Sequence, residues 1–164
     1  MEDTDKKMEK TCLVIKPDGI GKKVAGKIID RLETDGLKLI AMKMFRPARP
    51  LVENFYSIHK DRDFFVPLVE FILTGPLIVS VWEGENAVRR VRKIIGSTHS
   101  KSAEPGTLRK LYGTDGTRNL VHAADSVENA VREIEFFFSM SELINYDEHD
   151  WELAVPSELY RKQK

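Results

Sequence analysis

The stretch Thr11-Cys12-Leu13-Val14-Ile15-Lys16-Pro17-Asp18-Gly19 gives the first element of the fold. Residues 11–15 form a short apolar run, and the proline and glycine that follow favour a turn. The stretch therefore predicts a buried strand that ends in a turn. Lys16 stands at the end of this strand, and binding residues concentrate at such places. Lys16 is therefore a candidate ligand-binding cation.

The residues that follow alternate between strand and helix patterns. Residues 24–36 have the apolar spacing of an amphipathic helix that ends at Gly36. Residues 37–45 predict a strand with an irregularity after Ala41, where the apolar alternation changes phase. The other predicted elements are helices over 51–58 and 64–73, a strand over 77–82, a helix over 86–95, an irregular loop over 96–118, a further helix from residue 127, and a last strand over 135–140. Asp63 is the predicted N-cap of the helix over 64–73. The helix from residue 127 is predicted to be capped by Asp125 and Ser126, with Val127, Ala130, Val131 and Ile134 facing inward. This order is α+β and close to a split β-α-β-β-α-β pattern.

The composition is that of a single globular domain. The chain has 164 residues, of which 41% are hydrophobic and 32% charged. Because 26 Lys and Arg balance 26 Asp and Glu, a general polyanion binder is not expected. The single cysteine, Cys12, belongs to no disulfide or metal-ligand pattern, which favours a reducing, cytoplasmic setting. No apolar run approaches the roughly 18 residues of a membrane span, so no membrane partner is expected.

The two ends differ from the rest of the chain. Residues 1–9 are a charged tail without the apolar stretch of a signal peptide. Residues 145–164 are a polar extension in which Trp151 and Tyr160 are candidate anchors. We expect this extension to pack on the body of the protein or on a neighbouring subunit.

Residues 21–27 match the first seven positions of a phosphate-binding P-loop, G-x-x-x-x-G-K. The motif requires Ser or Thr at the next position, where this chain has Ile28. Ile28 also belongs to the apolar face of the predicted helix. We therefore expect Gly26 and Lys27 to lie inside that helix, with the lysine in solvent.

The charge is uneven between residues 89 and 110, where seven cations accompany the single acid Glu104. Helical spacing turns Arg89 and Lys93 away from the apolar stripe, towards solvent. Arg92 lies at the edge of that stripe and can face a cleft. Arg109 lies on the irregular segment, where its guanidinium can fork onto phosphate oxygens. The segment therefore predicts an anion site.

His122 lies three residues before a predicted helix cap, next to this basic segment. A lone histidine is more often structural than catalytic. Here Asn119 precedes it on a short extended stretch, on the opposite face unless the backbone kinks. Glu133 on the next helix can orient the imidazole. A neutral imidazole is a nucleophile near pH 7, so the residues indicate phosphoryl transfer.

Five motifs occur in order over roughly residues 10–144. They are Lys16-Pro17-Asp18-Gly19, Asp61-Arg62 followed by Phe64-Phe65, Gly75-Pro76, Pro105-Gly106-Thr107-Leu108-Arg109, and N-x-x-H-x-x-D-S at Asn119, His122, Asp125 and Ser126. Each is weak alone. Together, in this order, they closely resemble the nucleoside diphosphate kinase family, with residues 10–144 as its domain.

The resemblance implies a ferredoxin-like α+β sandwich with an antiparallel four-stranded sheet and extra helices. It also implies a ping-pong kinase that moves the γ-phosphate of a nucleoside triphosphate to a nucleoside diphosphate. His122 would be the phosphorylated nucleophile and Glu133 its orienting partner. Phe64 and Leu68 would sandwich the base, and a stacking site tolerates any base. The residues that would contact phosphates or ribose are Lys16, Tyr56, Arg92, Thr98, Arg109 and Asn119.

The family resemblance also carries expectations about metal and assembly. Mg²⁺ would arrive on the nucleotide phosphates, with few or no direct protein ligands. The long loop over 96–118 resembles the loop that meets neighbouring subunits at a threefold axis in the family. We therefore expect a homo-oligomer. Hexamers are common in the family and tetramers occur, and the extended C-terminus of this chain favours a hexamer. No stable complex with nucleic acid is expected.

The chain departs from the family pattern at several positions. Ala124 stands where a serine is usual, and that hydroxyl would hydrogen-bond within the histidine–glutamate network. Losing it predicts a working but slower enzyme. Other departures are Ala123 for the usual Gly, Asp63 for a common Pro, and His99-Ser100 for a familiar Asn-Pro. His59, His99 and His149 have no partner pattern and are expected at the surface.

Two other readings remain open. A single-stranded RNA-binding module can share the split strand order, but it stacks bases on exposed aromatics of its central strands. Here those strands carry only Trp82, at an end. The other alternative is a family member that acts as a scaffold or as a protein-histidine phosphotransfer partner. The retained His122, Lys16 and Arg109 weigh against an inactive scaffold.

Overall fold

The computed structural model of the chain, which describes residues 7–147 and 150, contains one antiparallel sheet of four strands. The strands are β1 (Met8–Ile15), β2 (Lys38–Phe45), β3 (Leu77–Glu85) and β4 (Val121–Ala123), in the sheet order β2-β3-β1-β4. β1 is central and pairs with β3 over eight residues and with β4 over three. The end of β1 and the short β4 therefore lie side by side, with Val14 opposite His122.

Helices cover both faces of the sheet because β1 is apolar on both. Leu13 and Ile15 belong to one core cluster and Cys12 and Val14 to another. The helices are α1 (Pro17–Gly21), α2 (Ala25–Thr34), α3 (Arg49–Phe55), α4 (Phe65–Ile72), α5 (Ala87–Ile95), α6 (Leu108–Tyr112) and α7 (Val127–Phe137), with 3₁₀ turns at Ser57–His59, Ser100–Ser102 and Met140–Glu142. The first cluster packs α2 and α5 on the sheet, and the second packs α3, α4 and α7. The predicted α+β class with an antiparallel four-stranded sheet is confirmed.

Two local predictions are confirmed by the backbone. The register of β2 against β3 shifts between Leu39 and Ala41, next to the point where the apolar alternation changes phase. Gly26 and Lys27 lie inside α2, both exposed, while Ile28 is buried in the core. The P-loop pattern therefore forms no phosphate-binding loop.

The predicted last strand over 135–140 is wrong. α7 continues to Phe137 because Ile134 and Phe137, three residues apart, are buried on one helical face. The fourth strand is instead the stretch that carries His122. The inward face of α7 is also shifted: Ala130 and Ile134 are buried as predicted, but Val127 and Val131 are exposed, and Glu133 is buried with them.

Two further predictions are corrected at helix ends and loops. Phe64, not Asp63, is the N-cap residue of α4, with no side-chain hydrogen bond to the helix. The segment 96–118 is not wholly irregular, since it contains α6, in which Leu108 and Arg109 are buried. Burial of the apolar Leu108 stabilises this short helix. The helix was not predicted because most residues around Leu108 in the sequence are polar and show no helical apolar pattern.

The ends of the described chain lie against the sheet. β1 begins at Met8, within the range predicted for the tail. After α7, Ile144 donates its N–H to the Ile40 carbonyl, and the Tyr146 hydroxyl donates to the Leu39 carbonyl at 2.5 Å. Residues 145–147 thus begin the extension on β2, while Trp151, Tyr160 and His149 lie outside the described residues. Within the described part, no helix has the length and apolar character needed to span a bilayer.

Candidate active site

A cavity of about 500 Å³ opens beside the paired ends of β1 and β4. The residues around it are distant in sequence: Lys16 directly follows β1, β4 contributes its three residues, and the others come from the helices α3 to α7 and their connections. All ten residues singled out in the sequence line it: Lys16, Tyr56, Phe64, Leu68, Arg92, Thr98, Arg109, Asn119, His122 and Glu133. The fold therefore brings the predicted residues into one site.

A kink just before β4 places Asn119 and His122 on the same cavity. Leu120 adopts φ +75°, and the Val121 N–H donates to the Asn119 carbonyl at 2.9 Å. These values describe a classic γ-turn, which is rare and strained for a residue with a side chain. Two-residue periodicity without the kink would leave the two side chains on opposite faces.

Lys16 lies at the bottom of the cavity, with 4% of its surface exposed. Its ammonium donates to the Thr117 carbonyl and to Asn119 Oδ1. The pKa of Lys16 is lowered to about 8, mainly by burial; the charge of Asp18 opposes this shift, that of Arg109 adds to it, and that of Asp115 opposes it. Lys16 is therefore a buried cation that keeps its charge near neutral pH but loses it in mildly alkaline solution.

The Asn119 side chain joins three segments of the site. Besides accepting from Lys16, it donates through Nδ2 to the Thr98 carbonyl at 2.7 Å and to the Gly116 carbonyl at 2.9 Å. Both amide hydrogens are thus used within the protein. One acceptor position of Oδ1 is left for a ligand.

Arg109 is as buried as Lys16, and its guanidinium binds the backbone on both sides of the kink. It donates to the Val121 carbonyl and to the Gly96 carbonyl, each at 2.9 Å, and to the Asn119 carbonyl at 3.3 Å. Three of its five N–H groups are used in this way, which leaves two for an anion in the cavity. Burial, and then the nearby charge of Arg92, lower the pKa of Arg109 to about 10.

His122 is held by one carboxylate and two aromatic rings. Its Nε2 lies 2.9 Å from Glu133 Oε1, so Nδ1 is the free ring nitrogen. The Phe55 and Tyr56 rings meet the imidazole edge-on at centroid distances of 5.1 and 5.8 Å. These contacts fix the plane of the imidazole, and 27% of the His122 side chain remains exposed.

The opposite end of the cavity is apolar and open. Phe64 is 48% exposed, and the ring of His59 lies 5.3 Å from it. Leu68, half-buried one helical turn further along α4, lines the same end. These side chains make an aromatic and aliphatic surface suited to a flat, apolar group.

The sequence profile of the nucleoside diphosphate kinase family matches residues 9–143. The chain belongs to the nucleoside diphosphate kinase family. Relatives with that name include one from Archaeoglobus fulgidus, 45% identical over 146 residues (88% of this chain and 97% of the relative), and one from Campylobacter jejuni, 49% identical over 136 residues (83% and 99%).

Solved structures agree with this membership. The kinase from Aquifex aeolicus superposes with a TM-score of 0.82 at 43% identity, over 84% of this chain and all of that one. A Halobacterium salinarum kinase, solved in complex with CDP, superposes with a TM-score of 0.84 at 40% identity, over 90% and 97% of the two chains. The ferredoxin-like fold and the nucleoside diphosphate kinase class of phosphotransferase are thus established, and the scaffold and RNA-binding alternatives are not favoured.

The burial of Trp82 gives an independent reason against the RNA-binding alternative. Trp82 is fully buried in the core, and its indole N–H donates to the Ser80 hydroxyl at 2.9 Å. It is therefore no platform for a stacked base. The aromatic side chain that the cavity does expose, Phe64, lies on the connection to α4 and not on a strand.

Ala124, one of the positions that depart from the family pattern, directly follows β4. Ala124 is buried and packs with Val88 and Ala130. Glu133 is also buried, and its second oxygen, Oε2, has no hydrogen-bond partner within the described part of the chain. This carboxylate therefore binds His122 through one oxygen only.

Several residues of the site were missed in the sequence. His59 was expected at the surface but lines the cavity beside Phe64. Arg132, Asn129 and Asp125 line it from α7 and its start, where a spacing of three to four residues places them together. That spacing was visible in the sequence. In contrast, Phe55 gave no signal, because its contact with His122 depends on how α3 packs.

Proposed function

We propose that this kinase works by a ping-pong mechanism, with a phosphohistidine on Nδ1 of His122 as the intermediate. The observation that carries the proposal is the pairing of His122 Nε2 with Glu133, which leaves the other nitrogen free beside buried cations. A neutral imidazole with its Nε2–H donated to a carboxylate is a competent nucleophile at Nδ1. A buried lysine and arginine next to it stabilise negative charge without reorganising.

In the first half-reaction, the Nδ1 lone pair attacks the γ-phosphorus of a nucleoside triphosphate. The bond from that phosphorus to the β,γ-bridging oxygen breaks, and the nucleoside diphosphate leaves with the electron pair. In the second half-reaction, a terminal oxygen of another diphosphate attacks the phosphorus, and the P–N bond breaks. Glu133 stabilises the positive charge on the phosphorylated ring in between.

Lys16, Arg92 and Arg109 neutralise the non-bridging phosphate oxygens in this proposal. Arg109 has two N–H groups left for them, and Arg92 stands close enough for its charge to lower the pKa of Arg109. Tyr56, Thr98 and Asn119 contact the phosphates or the ribose. Phe64 and Leu68 hold the base by stacking, which explains tolerance of different bases.

Mg²⁺ belongs to the substrate in this proposal and enters as the magnesium complex of the nucleotide. Each of the two cavity carboxylates already binds a side chain through one oxygen, Glu133 with His122 and Asp125 with the Asn129 amide at 2.5 Å. Across residues 7–147 and 150, no group of three His, Cys, Asp or Glu side chains could hold a metal ion. The donors present therefore fit a metal that is bound by phosphate oxygens.

We also propose that the chain forms a homo-oligomer, a hexamer rather than a tetramer, in the cytoplasm. β2 is an edge strand of the sheet, and Met42 and Met44 on it are exposed. An edge with exposed apolar side chains favours pairing with another chain. The choice of a hexamer rests on the C-terminal extension, residues 145–164, which we propose contacts the body or a neighbouring subunit. The loop over 96–118 resembles the loop that meets neighbouring subunits in the family.

The test is to incubate the protein with Mg·ATP, remove the nucleotide and measure the intact mass. We expect one phosphoryl group per chain, mapped to His122 under conditions that preserve acid-labile phosphate. Adding GDP should remove it and yield GTP. The His122→Ala variant should take up no phosphate, while His99→Ala, at an exposed histidine outside the cavity, should behave as the wild type.

Each alternative makes a different prediction in the same experiment. A scaffold would take up no phosphate, and a protein-histidine phosphotransfer partner would be phosphorylated on His122 but not discharged by GDP. Phosphate on another residue would refute the assignment to His122. Nucleic-acid binding that depends on salt but not on His122 would favour the RNA-binding module.

A further inference from the structure

The Asp18 side chain reaches across the chain to the kink before His122. It lies in the first turn of α1, and its Oδ2 accepts a hydrogen bond from the Leu120 N–H at 3.0 Å. The two residues are 102 positions apart in sequence. The contact therefore ties the end of β1, which carries Lys16, to the turn that carries Asn119.

Both backbone polar groups of Leu120, its N–H and its carbonyl, form hydrogen bonds that hold the turn. Its N–H donates to Asp18, and its carbonyl accepts from the Lys16 N–H at 2.8 Å. Gly19 lies so close that a Cβ there would be 3.1 Å from the same carbonyl. Because a non-glycine residue with positive φ costs about 1–3 kcal/mol, surrounding contacts must hold it. Asp18 supplies the side-chain contact that does so.

The charge of Asp18 also acts on the cations of the site. Lys16 and Arg109 are both buried, and the charge of Arg109 lowers the pKa of Lys16. The charged groups that act on Lys16 are Asp18 from α1, Arg109 from α6 and Asp115 from the loop before β4. Of these, Asp18 raises the pKa of Lys16 most. Its second oxygen, Oδ1, is buried and has no hydrogen-bond partner within the described residues.

We propose that Asp18 is a positioning residue for phosphotransfer, which fixes the Leu120 turn beneath Asn119 and His122 and keeps Lys16 charged. The inference rests on the proposed function, since it assigns Asp18 a role through Lys16 and the turn and no contact with the nucleotide. The carboxylate accepts the hydrogen bond from Leu120 and also supplies a negative charge near Lys16. A neutral side chain of the same shape can do only the first. An asparagine accepts a hydrogen bond through its carbonyl oxygen but carries no charge.

The experiment compares Asp18→Asn and Asp18→Ala with the wild type. Asp30→Asn, at an exposed position on α2, is the control for an equal change of charge. Two quantities are measured: the NMR titration of Lys16 Cε, assigned with a Lys16→Arg variant, and the rate of His122 phosphorylation by Mg·ATP against pH. Thermal unfolding of each variant shows whether it is folded.

Asp18→Asn should lower the pKa of Lys16 by about one unit, the usual scale for removing a nearby opposite charge. The alkaline limit of the phosphorylation rate should move with it, while the rate at pH 6.5 and the midpoint of thermal unfolding stay close to those of the wild type. Asp18→Ala should also lower the rate at pH 6.5, by about 100-fold, because the turn moves. Asp30→Asn should change neither quantity.

An unchanged Lys16 titration in Asp18→Asn would refute the electrostatic role. Phosphorylation of Asp18→Ala at the wild-type rate would refute the positioning role. The experiment distinguishes failure of the proposed mechanism from failure of the role assigned to Asp18. If the wild type itself forms no phosphohistidine, the proposed mechanism is wrong, whereas the titration of Lys16 still decides whether Asp18 supports its charge.

Discussion

The two ends of the cavity are built in opposite ways. The end proposed to bind phosphate, here called the phosphate end (Lys16, Arg109, Asn119, His122 and Glu133), is polar. All of its side chains except the half-buried His122 are buried, and they bind one another and the backbone. The base end (His59, Phe64 and Leu68) is apolar, open and drawn from a single short segment. In the proposed function, phosphotransfer takes place at the preorganised end, and the base of the nucleotide binds at the open end.

The contrast predicts different consequences of substitution. A change at the phosphate end alters backbone contacts between segments that are distant in sequence, so both stability and turnover should fall. A change at the base end removes contact area alone, so affinity should fall with little effect on folding. The substitutions below test this difference.

Arg109→Lys should have the largest effect. Lysine keeps the positive charge but not the planar fork that donates to three carbonyls, so buried carbonyls lose their partners. Each unsatisfied group costs about 1–3 kcal/mol, and we expect a loss of about 3 kcal/mol in the free energy of unfolding. We also expect kcat to fall by about 100-fold, since the turn that carries His122 shifts.

Urea unfolding and steady-state kinetics with Mg·ATP and a diphosphate measure both effects. Arg89→Lys is the matched control, because Arg89 is exposed on α5 and does not line the cavity. Unchanged stability of Arg109→Lys would mean that the carbonyl contacts contribute little. The phosphate end would then resemble the base end in its tolerance.

Mildly alkaline solution should separate activity from stability. Burial lowers the pKa of Lys16 to about 8, from an ordinary 10.5 in the unfolded chain. Above pH 8 the folded protein loses the Lys16 proton, and we expect the rate to fall about tenfold per pH unit. Between pH 8 and 10.5 the unfolded chain binds more protons than the folded one at this residue, so the contribution of Lys16 to stability rises with pH.

Rate measurements and urea unfolding at pH 7.5 and 9.5 test this divergence. A rate that stays level to pH 9.5 would show that Lys16 remains charged or is not needed as a cation. A parallel loss of rate and stability would point to unfolding of the site instead. The base end provides the internal reference, since stacking on Phe64 involves no proton.

Phe64→Ala should act on affinity. Stacking of a base on an aromatic ring contributes about 1–3 kcal/mol, so KM should rise roughly 5- to 150-fold. The increase should be similar for ADP, GDP and CDP, because stacking does not read base edges. Since Phe64 is half-exposed, the unfolding midpoint should hardly change. Val66→Ala, at an exposed apolar position on α4 outside the cavity, is the control for truncating a side chain. Unequal changes in KM among the three nucleotides would contradict the prediction and indicate contacts with the edges of the bases.

The same contrast explains what the sequence predicts well. The strand at residues 11–15 and the irregularity in β2 follow from local patterning, and the structure has both. The predicted strand over 135–140 failed because an apolar run such as Phe136-Phe137-Phe138 fits a helix end as well as a strand. The burial of Glu133 in α7 lies outside any apolar pattern, although it places the carboxylate against His122.

The site was predicted as a set of residues but not as a set of contacts. The order of the motifs predicted that Arg109 and Asn119 belong to the site. It did not show that most of their N–H groups donate hydrogen bonds to the protein itself. The kink at Leu120 has no local signal, because leucine rarely adopts positive φ and the turn depends on Asp18, which is 102 residues away. Long-range hydrogen bonds of this kind cannot be read from spacing.

Ala124→Ser should have the smallest effect. It tests whether a second hydrogen bond to Glu133 increases the rate of phosphotransfer. Ala124 is buried beside Val88 and Ala130, and a serine is usual at this position in the kinase family. Glu133 Oε2 is buried and has no partner among the described residues. A serine hydroxyl that donates to Glu133 would hold the carboxylate against His122 through both oxygens.

A hydrogen bond to a charged group is worth about 1.5–3 kcal/mol, part of which acts equally on the resting enzyme and the transition state. We therefore expect the rate constant of His122 phosphorylation to rise about two- to tenfold in single-turnover measurements. Ala87→Ser is the matched control, because Ala87 is a fully buried alanine on α5 that does not line the cavity. If Ala124→Ser leaves the rate unchanged or lowers it, the single contact between Glu133 and His122 is already sufficient, and the alanine has no kinetic cost.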